Sequence, residues 1–325
     1  MSLGFGDDLI VLMPVYNDWK ALSLLLPRLD RALASSDFKA RVVVVDDGST
    51  ATTPAALGQS HFEAISSIDF VSLRRNIGHQ RAIAVGLCYI EANSPRSTVV
   101  IMDSDGEDDP KDVSPLVHEC VAQGNEKIVF AARTRRSEGF VFTFFYHLYR
   151  LFHYLLTGIH VRVGNFSVIP PQALKRIVAV SELWNHYAAA VHKAKLPLIL
   201  VPTERAKRLE GEPRMDMISL VAHGLSAMAV FGDRIGVRLL FVIGLGMVLT
   251  LIGLASVFAI RLATDLAIPG WATYLTGILL IILMQMLLSI LVFVFVILAA
   301  RNTVSVIPTR DYVHLIDACH RIYGR

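Results

Sequence analysis

The first half of the chain alternates short apolar runs with segments of helical spacing. Asp8–Pro14 (DLIVLMP) is an apolar run closed by proline, and Arg41–Val45 is β-branched throughout after its arginine. Phe70–Leu73, Ser97–Met102 and Lys127–Ala131 repeat the pattern. Runs of this length predict buried strands. Between them, Trp19–Leu33 and Gln80–Ala92 carry apolar residues at helical spacing. The alternation predicts an α/β domain built on a mainly parallel, doubly wound sheet. In such sheets ligands bind beyond the carboxyl ends of the strands. Three polar clusters fall there: MPVYND (13–18), DDGS (46–49) and DSDGE (103–107).

Toward the C-terminus the pattern changes. From Leu239 to Ile260, and again from Ile268 to Ala300, there is no charged residue. Each tract exceeds the ~20 residues needed to cross a hydrocarbon layer ~30 Å thick. Two transmembrane helices are predicted, at about 239–260 and 274–300. The link between them, RLATDLAIPGWATY, contains the helix-breaking Pro269-Gly270 and the interface-favouring Trp271 and Tyr274. So short a link predicts a hairpin with both flanks on one side. Arg234 and Arg238 precede the first span, and Arg301 and Arg310 follow the second. The positive-inside tendency then puts the N-terminal region and a tail at 301–325 in the cytoplasm.

Two further segments read as membrane-surface helices. Phe140–Leu156 (FVFTFFYHLYRLFHYLL) carries eight aromatics in seventeen residues. That is too many for one packed stripe, so an interfacial helix is expected over 140–158, with Arg150 snorkelling. A juxtamembrane amphipathic helix is expected over 213–236. The first residues, MSLGFGDDLIVLMPVYND, have no basic run ahead of an apolar one, so no signal peptide is expected. The expected division is thus an α/β domain over 1–212, the juxtamembrane helix, the helix pair within 237–300, and the tail.

Composition narrows the function classes. Of 325 residues, 54% are apolar, and the net charge is only +3, from 31 Lys+Arg against 28 Asp+Glu. No basic field argues for nucleic acid. Cys88, Cys120 and Cys319 show neither metal nor disulfide spacing, which fits reduced thiols. No GxGxxG follows the first strand, and no GxxxxGK[ST] occurs, which disfavours a dinucleotide site and a P-loop.

The acidic stretch VVIMDSDGEDDPKD (99–112) is the most informative. An EF-hand loop counted from Asp103 would need glycine sixth and glutamate twelfth, whereas glycine comes fourth and Ser114 twelfth. Asp103 follows directly on the predicted strand, so its carboxylate is fixed at the sheet edge. Asp105, two residues on, can point the same way. Such a pair suits a hard divalent ion, Mg²⁺ or Mn²⁺, with positions left open for phosphate oxygens. Asp108, Asp109 and Asp112 are expected to start the next helix, with Asp108-Asp109-Pro110 as its cap.

PVYND, VVVVDDGST, RRNIGHQRAIAVGL and MDSDGEDDP, in this order and spacing, resemble the family 2 inverting glycosyltransferases of GT-A fold. The likeness is greatest to the branch of dolichol-phosphate mannose synthases and polyisoprenyl-phosphate glycosyltransferases. It extends through ARTRR, VGNFSVIP, RLEGEPRM and the apolar helix pair. The resemblance implies that Asp103 and Asp105 are the DxD that binds a divalent ion on the nucleotide-sugar diphosphate. Glu107 stands near that metal, where relatives commonly have Gln. Pro14, Tyr16 and Asp18 would hold the nucleoside, Asp46 and Asp47 would lie near base and ribose, and Arg133 would face phosphate or sugar. Arg208 and Arg214 match basic residues of an RxxGxSK motif that face the diphosphate and the acceptor phosphate. Here Pro213 replaces its serine and Arg214 its lysine.

One departure bears on the chemistry. Asn165 in VGNFSVIP occupies a position where many relatives carry aspartate, a candidate base. Asparagine cannot accept a proton, but a phosphate monoester is already anionic at neutral pH and needs no base. The expected reaction is therefore transfer from a UDP- or GDP-linked sugar to polyprenyl phosphate, with Asp105, Arg133 and Asn165 around the reacting centre. His79, in NIGHQRA, is expected to be an ordinary loop or capping residue rather than a sugar contact. The resemblance also implies an integral protein of a bacterial inner membrane, with its catalytic domain on the cytoplasmic side and a homo-oligomeric state, tetramers included. A lipid or glycan hydroxyl as acceptor, and a non-catalytic scaffold that binds nucleotide or lipid, are the competing readings.

Overall fold

A computed structural model describes residues 9–36, 38–52, 61–133, 151, 153–158, 164–210, 224–264, 270–302 and 306–324. The chain divides into two compact units. The first draws on 1–147, 160–230 and 305–325, the second on 148–159 and 231–304.

The first unit is an eight-stranded sheet with helices on both faces. Its elements are β1 (Leu9–Val15), α1 (Trp19–Ala34), β2 (Ala40–Asp46), β3 (Ile65–Leu73), α2 (His79–Asn93), β4 (Thr98–Ile101), α3 (Val113–Ala122), β5 (Ile128–Arg133), β6 (Ser167–Ile169), α4 (Pro171–Ile177), α5 (Tyr187–Lys193), β7 (Leu198–Thr203) and β8 (Ile316–Tyr323). The strand order is β7-β5-β6-β4-β1-β2-β3-β8. The β1–β2, β1–β4, β2–β3 and β5–β7 pairs are parallel; β4–β6, β5–β6 and β3–β8 are antiparallel. The sheet is thus mainly parallel, as expected.

Why the runs in β1 and β2 are continuously apolar follows from this layering. Side chains alternate across a strand, and both faces of the sheet are covered. Leu9, Val11, Met13 and Val15 join a core under α1 and α3. Ile10 and Leu12 join Val43 and Val45 in a second core under α2, α4 and α5. The acidic loop after β4 is anchored at both ends, since Met102 N donates to Leu12 O and Asp103 N to Asp108 Oδ2. Asp109 caps the following turn through Lys111 N, as expected. Asp108 instead bonds backward to Asp103, because its buried carboxylate closes the loop rather than starting the helix.

The predicted tail at 301–325 contains β8, which lies antiparallel to β3 at the edge of the sheet. Tyr323 packs edge-on against Phe62, and its hydroxyl bonds the Phe62 backbone, accepting from N–H and donating to O. Arg321 Nε lies 2.7 Å from Asp69 Oδ1.

In the second unit, α6 (Gly232–Ala263) packs along α7 (Trp271–Asn302). Glycines allow the close approach: a Cβ at Gly246 would lie 2.8 Å from Met286 Cε, and one at Gly236 would lie 2.6 Å from Ile297 Cδ1. Both helices are long and apolar enough to cross a membrane, with mean hydropathies of 2.5 and 3.0. Only 11% and 0% of their most apolar windows are buried, which a soluble core helix would not tolerate. Of the expected interfacial segment, 151 and 153–157 are helical, and Arg238 Nη1 caps that turn through Leu155 O at 2.7 Å. The rest of 140–158, and residues 213–223 of the expected juxtamembrane helix, lie outside the described residues.

Candidate active site

Four segments converge on the carboxyl edge of the sheet: the β1–α1, β2 and β4 ends and the loop after β7. Parallel strands in register bring the first three together, and the fourth arrives because β7 pairs with β5 in the same direction. A cavity of about 150 Å³ opens there, lined by Pro14, Tyr16, Asp47, Asn76 and His79 among others.

Asp46 and Asp47 do different things. Asp46 Oδ1 accepts from Ser49 N at 2.9 Å and closes the turn. Asp47 is buried, and its two oxygens accept from Ile77 N (2.7 Å) and Gly78 N (3.0 Å), which holds the start of α2 against β2. Burial lifts the Asp47 pKa above the usual carboxylate range, with those two N–H donors only partly offsetting it. Gly48 sits at φ +68°, and a Cβ there would meet Arg75 C at 2.5 Å, so only glycine fits this turn.

The acidic pair meets arginine. Asp105 Oδ1 accepts from Glu107 N (2.9 Å), while Oδ2 lies 3.0 Å from Arg208 Nη1. The other Nη of Arg208 bonds Asp18, which heads α1 without capping it. Arg205 Nε donates to Glu107 Oε2 at 2.9 Å. The loop is fastened by Ala206 N to Glu107 O and Leu209 N to Asp105 O, both 3.0 Å. Leu209 lies flat on Gly106, where a Cβ would come within 2.4 Å of its Cγ. Burial, then repulsion from Asp103, raises the Asp105 pKa; Arg208 offsets this only in part.

Asp103 faces His79, with Oδ1 3.1 Å from Nε2. Burial works against a charged ring, but Asp103, seconded by Asp105 and Asp47, raises the His79 pKa overall. A relay that starts at Tyr187 reaches the same nitrogen. Tyr187 N donates to Gln80 Oε1 (2.8 Å), Gln80 Nε2 to Asn165 Oδ1 (3.0 Å), and Asn165 Nδ2 faces His79 Nε2 (3.0 Å). A backbone N–H can only donate, so the order of donors is fixed from the Tyr187 end. Asn165 therefore asks His79 Nε2 for a lone pair, while Asp103 asks it for a proton.

The structure thus brings together Pro14, Tyr16, Asp18, Asp47, Asp103, Asp105, Glu107, Asn165 and Arg208 at one edge. It also brings in His79, Gln80 and Arg205, which the sequence reading did not assign to the site. The basic ERAKR run at 204–208 was the available signal for Arg205; nothing in the spacing of His79 and Asn165, 86 residues apart, foretold their contact. Arg133 ends β5, and its side chain, like Arg214, lies outside the described residues.

No three His, Cys, Asp or Glu side chains among the described residues gather closely enough to hold a metal ion by themselves. The donors nevertheless fit Mg²⁺ or Mn²⁺. Asp103 and Asp105 supply hard oxygens at one loop, and Asp105 bears charge that its neighbours disfavour. Such ions are usually held by one or two carboxylates together with substrate phosphates.

Known proteins resemble this chain in sequence and in fold. The family described as Glycosyl transferase family 2 matches residues 10–178. An uncharacterized glycosyltransferase of Bacillus subtilis is 24% identical over 290 residues, covering 84% of this chain and 85% of that protein. An undecaprenyl-phosphate 4-deoxy-4-formamido-L-arabinose transferase of Edwardsiella ictaluri is 26% identical over 220 residues, 65% of this chain and 64% of the relative. Among solved structures, a glucosyl-3-phosphoglycerate synthase of Mycobacterium tuberculosis, in complex with Mn²⁺, UDP-glucose and phosphoglyceric acid, superposes with a TM-score of 0.51. It shares 17% identity over 72% of this chain and 82% of its own. At that identity the likeness establishes the GT-A fold.

Proposed function

The chain belongs to glycosyl transferase family 2, and from that premise we propose that it transfers a sugar from a nucleoside-diphosphate donor to a polyprenyl phosphate at the cytoplasmic face of a membrane. The observation that carries this reading is the pairing of Asp105 and Asp18 with Arg208 at the carboxyl edge of the sheet. Anion-binding and cation-binding groups lie side by side there, as a donor diphosphate with its counter-ion requires. The same chain carries two helices long and apolar enough to cross a membrane. The relatives named as undecaprenyl-phosphate sugar transferases support the acceptor.

In this reading the cavity beside Asp47 takes the nucleoside, with Pro14 and Tyr16 on its wall and Asp46 and Asp47 near base and ribose. A divalent ion held by Asp103 and Asp105, with Glu107 nearby, would supply electrostatic stabilisation of the departing diphosphate. Arg208, released from its carboxylates once the site is charged with substrate, offers a planar two-pronged donor to phosphate. Arg133 and Arg214 are assigned the donor and acceptor sides of the same charge. An acceptor phosphate oxygen attacks the anomeric carbon in line, the bond to the diphosphate oxygen breaks, and configuration inverts. No side chain has to take a proton, which is consistent with asparagine at 165.

Connectivity supports the assigned sidedness. Segments of the sheet unit precede α6 and follow α7 in the chain, as a hairpin that crosses and returns would require. Arg234 and Arg238 near the start of α6 favour the cytoplasmic side. The test is incubation of the purified protein with radiolabelled nucleotide sugars, polyprenyl phosphate and Mn²⁺ or Mg²⁺. Chloroform-soluble label is expected with one donor. Label reaching only a lipid or glycan hydroxyl would replace the acceptor assignment, and no transfer from any common donor would overturn the reading.

A further inference from the structure

The acidic loop at 103–107 is crossed by a strap of chain that follows β7, residues 204–209. Two backbone bonds lay one on the other, Ala206 N to Glu107 O and Leu209 N to Asp105 O. Leu209 covers Gly106 so closely that no Cβ would fit between them. Two cations of the strap then reach the acids beneath. Arg205 Nε donates to Glu107 Oε2 at 2.9 Å, and Arg208 Nη1 donates to Asp105 Oδ2 at 3.0 Å.

Arg208 is held at all three of its nitrogens. Nε donates to Glu210 O at 2.9 Å, Nη1 to Asp105 and Nη2 to Asp18. Its side chain is 16% exposed. Asp105 Oδ1 already accepts from Glu107 N, which leaves Oδ2 as the better ligand for an ion, and Arg208 is on it. A guanidinium and a divalent ion on one oxygen repel each other. A guanidinium spread over two carboxylates also has no fork left for phosphate.

From this contact we propose that the strap is a built-in counter-ion, which makes the divalent ion and the donor diphosphate bind as one unit. Without a diphosphate, Arg208 has no other anion to turn to and holds Asp105 against a bare ion. With one, Arg208 exchanges carboxylate for phosphate oxygens, and Asp105 is released to the ion. The coupling is reciprocal: ion and diphosphate raise each other's affinity by the same factor. The inference rests on the assignment of Asp103 and Asp105 to a divalent ion, and extends it from where the ion is held to when it enters.

The test is Mn²⁺ binding to the full chain in detergent, read from the paramagnetic resonance signal of the free ion. It is measured with Mn²⁺ alone and with UDP or GDP added, each against a protein-free control. The parent should bind Mn²⁺ weakly alone, and on the order of tenfold tighter with one of the two nucleotides. Arg208→Gln should raise the affinity for Mn²⁺ alone on the order of tenfold and shrink the gain from nucleotide. Leu209→Ala, which loosens the strap and keeps every charge, should move both values the same way by less. Lys207→Gln removes an exposed charge of the same strap and should leave both within about twofold, because such a charge is screened by salt. An Arg208→Gln affinity for Mn²⁺ alone that is no higher than the parent's overturns the inference. So does an equal rise in Lys207→Gln, since charge at a distance would then suffice, and so does tight binding of Mn²⁺ alone by the parent, unaltered by nucleotide. Where Arg208→Gln fails to fold, Leu209→Ala decides in its place. A parent that binds Mn²⁺ neither alone nor with nucleotide overturns the metal assignment together with the inference.

Discussion

Arg208 Nη1 lies 3.0 Å from Asp105 Oδ2, and the same guanidinium also holds Asp18, 190 residues away in sequence. One cation therefore ties the acidic loop after β4 to the head of α1. Substitution should act twice. Arg208→Ala leaves two half-buried carboxylates without their shared counter-charge, and melting of the metal-free protein should fall by the equivalent of about 1–2 kcal/mol. In the proposed reaction it also removes a donor for developing negative charge, so kcat/KM should drop on the order of 10²–10³-fold. Arg208→Lys should recover most of the stability but little of the rate, since an ammonium cannot span two oxygens as a fork does. Equal recovery of both would remove the phosphate role.

Metal dependence should reside in Asp103 and Asp105. Asp105→Asn removes a charge that burial and Asp103 already disfavour, so the metal-free fold should change by less than about 1 kcal/mol. Thermal stabilisation by Mn²⁺ plus the matching nucleotide sugar should vanish, because that gain follows RT ln(1 + [L]/Kd) and Kd would rise steeply. Chelation of the parent protein should reproduce the same curve. If Asp105→Asn kept the full metal-dependent shift, the ion would have to be held elsewhere.

Much of this site was legible because it hangs on strand ends. IVLM in β1 and VVVV in β2 announce buried parallel strands, and whatever follows them stands at the ligand edge. The later strands hide for physical reasons. β6 is only Ser167–Ile169, too short to show a period, and β7 carries Pro202, which an edge strand tolerates. β8, IDACHRIY, is largely exposed, and its polar Asp317, His320 and Arg321 fall at no regular spacing, so no alternation marks it. The contacts that matter most join residues far apart in sequence, such as Arg208 with Asp18 and His79 with Asn165, and no local pattern encodes them.

Asp47 is a joint as much as a proposed donor contact. Asp47→Ala would leave Ile77 N and Gly78 N without their acceptor, at a cost of about 1–3 kcal/mol each. Both the melting temperature and donor binding should fall. Its pKa gives a second readout. A carboxyl raised in the fold binds its proton more tightly there than in the unfolded chain. Its contribution to stability therefore declines as pH rises from the unfolded value through the raised one, and is level above it. Urea melts across the acidic range should show that slope in the parent protein and lose it in Asp47→Ala.

The rivalry over His79 Nε2 predicts what Asn165→Asp would do. A carboxylate at 165 can accept from Gln80 Nε2, and it would join Asp103 as an acceptor for the single Nε2–H of a protonated His79. The variant should fold as well as the parent, with His79 charged to higher pH by ring ¹⁵N shifts. A new negative charge beside Asp103 should repel an anionic acceptor, slowing transfer to polyprenyl phosphate about tenfold, or ~1.4 kcal/mol. A strong gain on alcohol acceptors would favour the hydroxyl-acceptor reading instead.

The last strand is the firmest point at which the C-terminal segment and the sheet depend on each other. β8 covers the edge of β3 from Ile68 to Leu73 and brings Tyr323 onto Phe62 and Arg321 onto Asp69. Deleting 306–325 would uncover that edge, leaving unpaired backbone groups and an exposed flank of Phe62 and Phe70. The catalytic domain should lose several kcal/mol and aggregate more readily, each lost ladder bond being worth about 1 kcal/mol. Tyr323→Phe, which removes only the hydroxyl, should cost about 1 kcal/mol. A fragment ending near residue 230 should therefore fold poorly alone, and should be rescued by fusing 306–325 behind it through a flexible linker. Hydrogen exchange would localise the effect: amides of β3 should lose protection in the truncated chain and regain it in the fusion. Unchanged β3 protection on truncation would mean that β8 is an accessory to the sheet and not part of its stability.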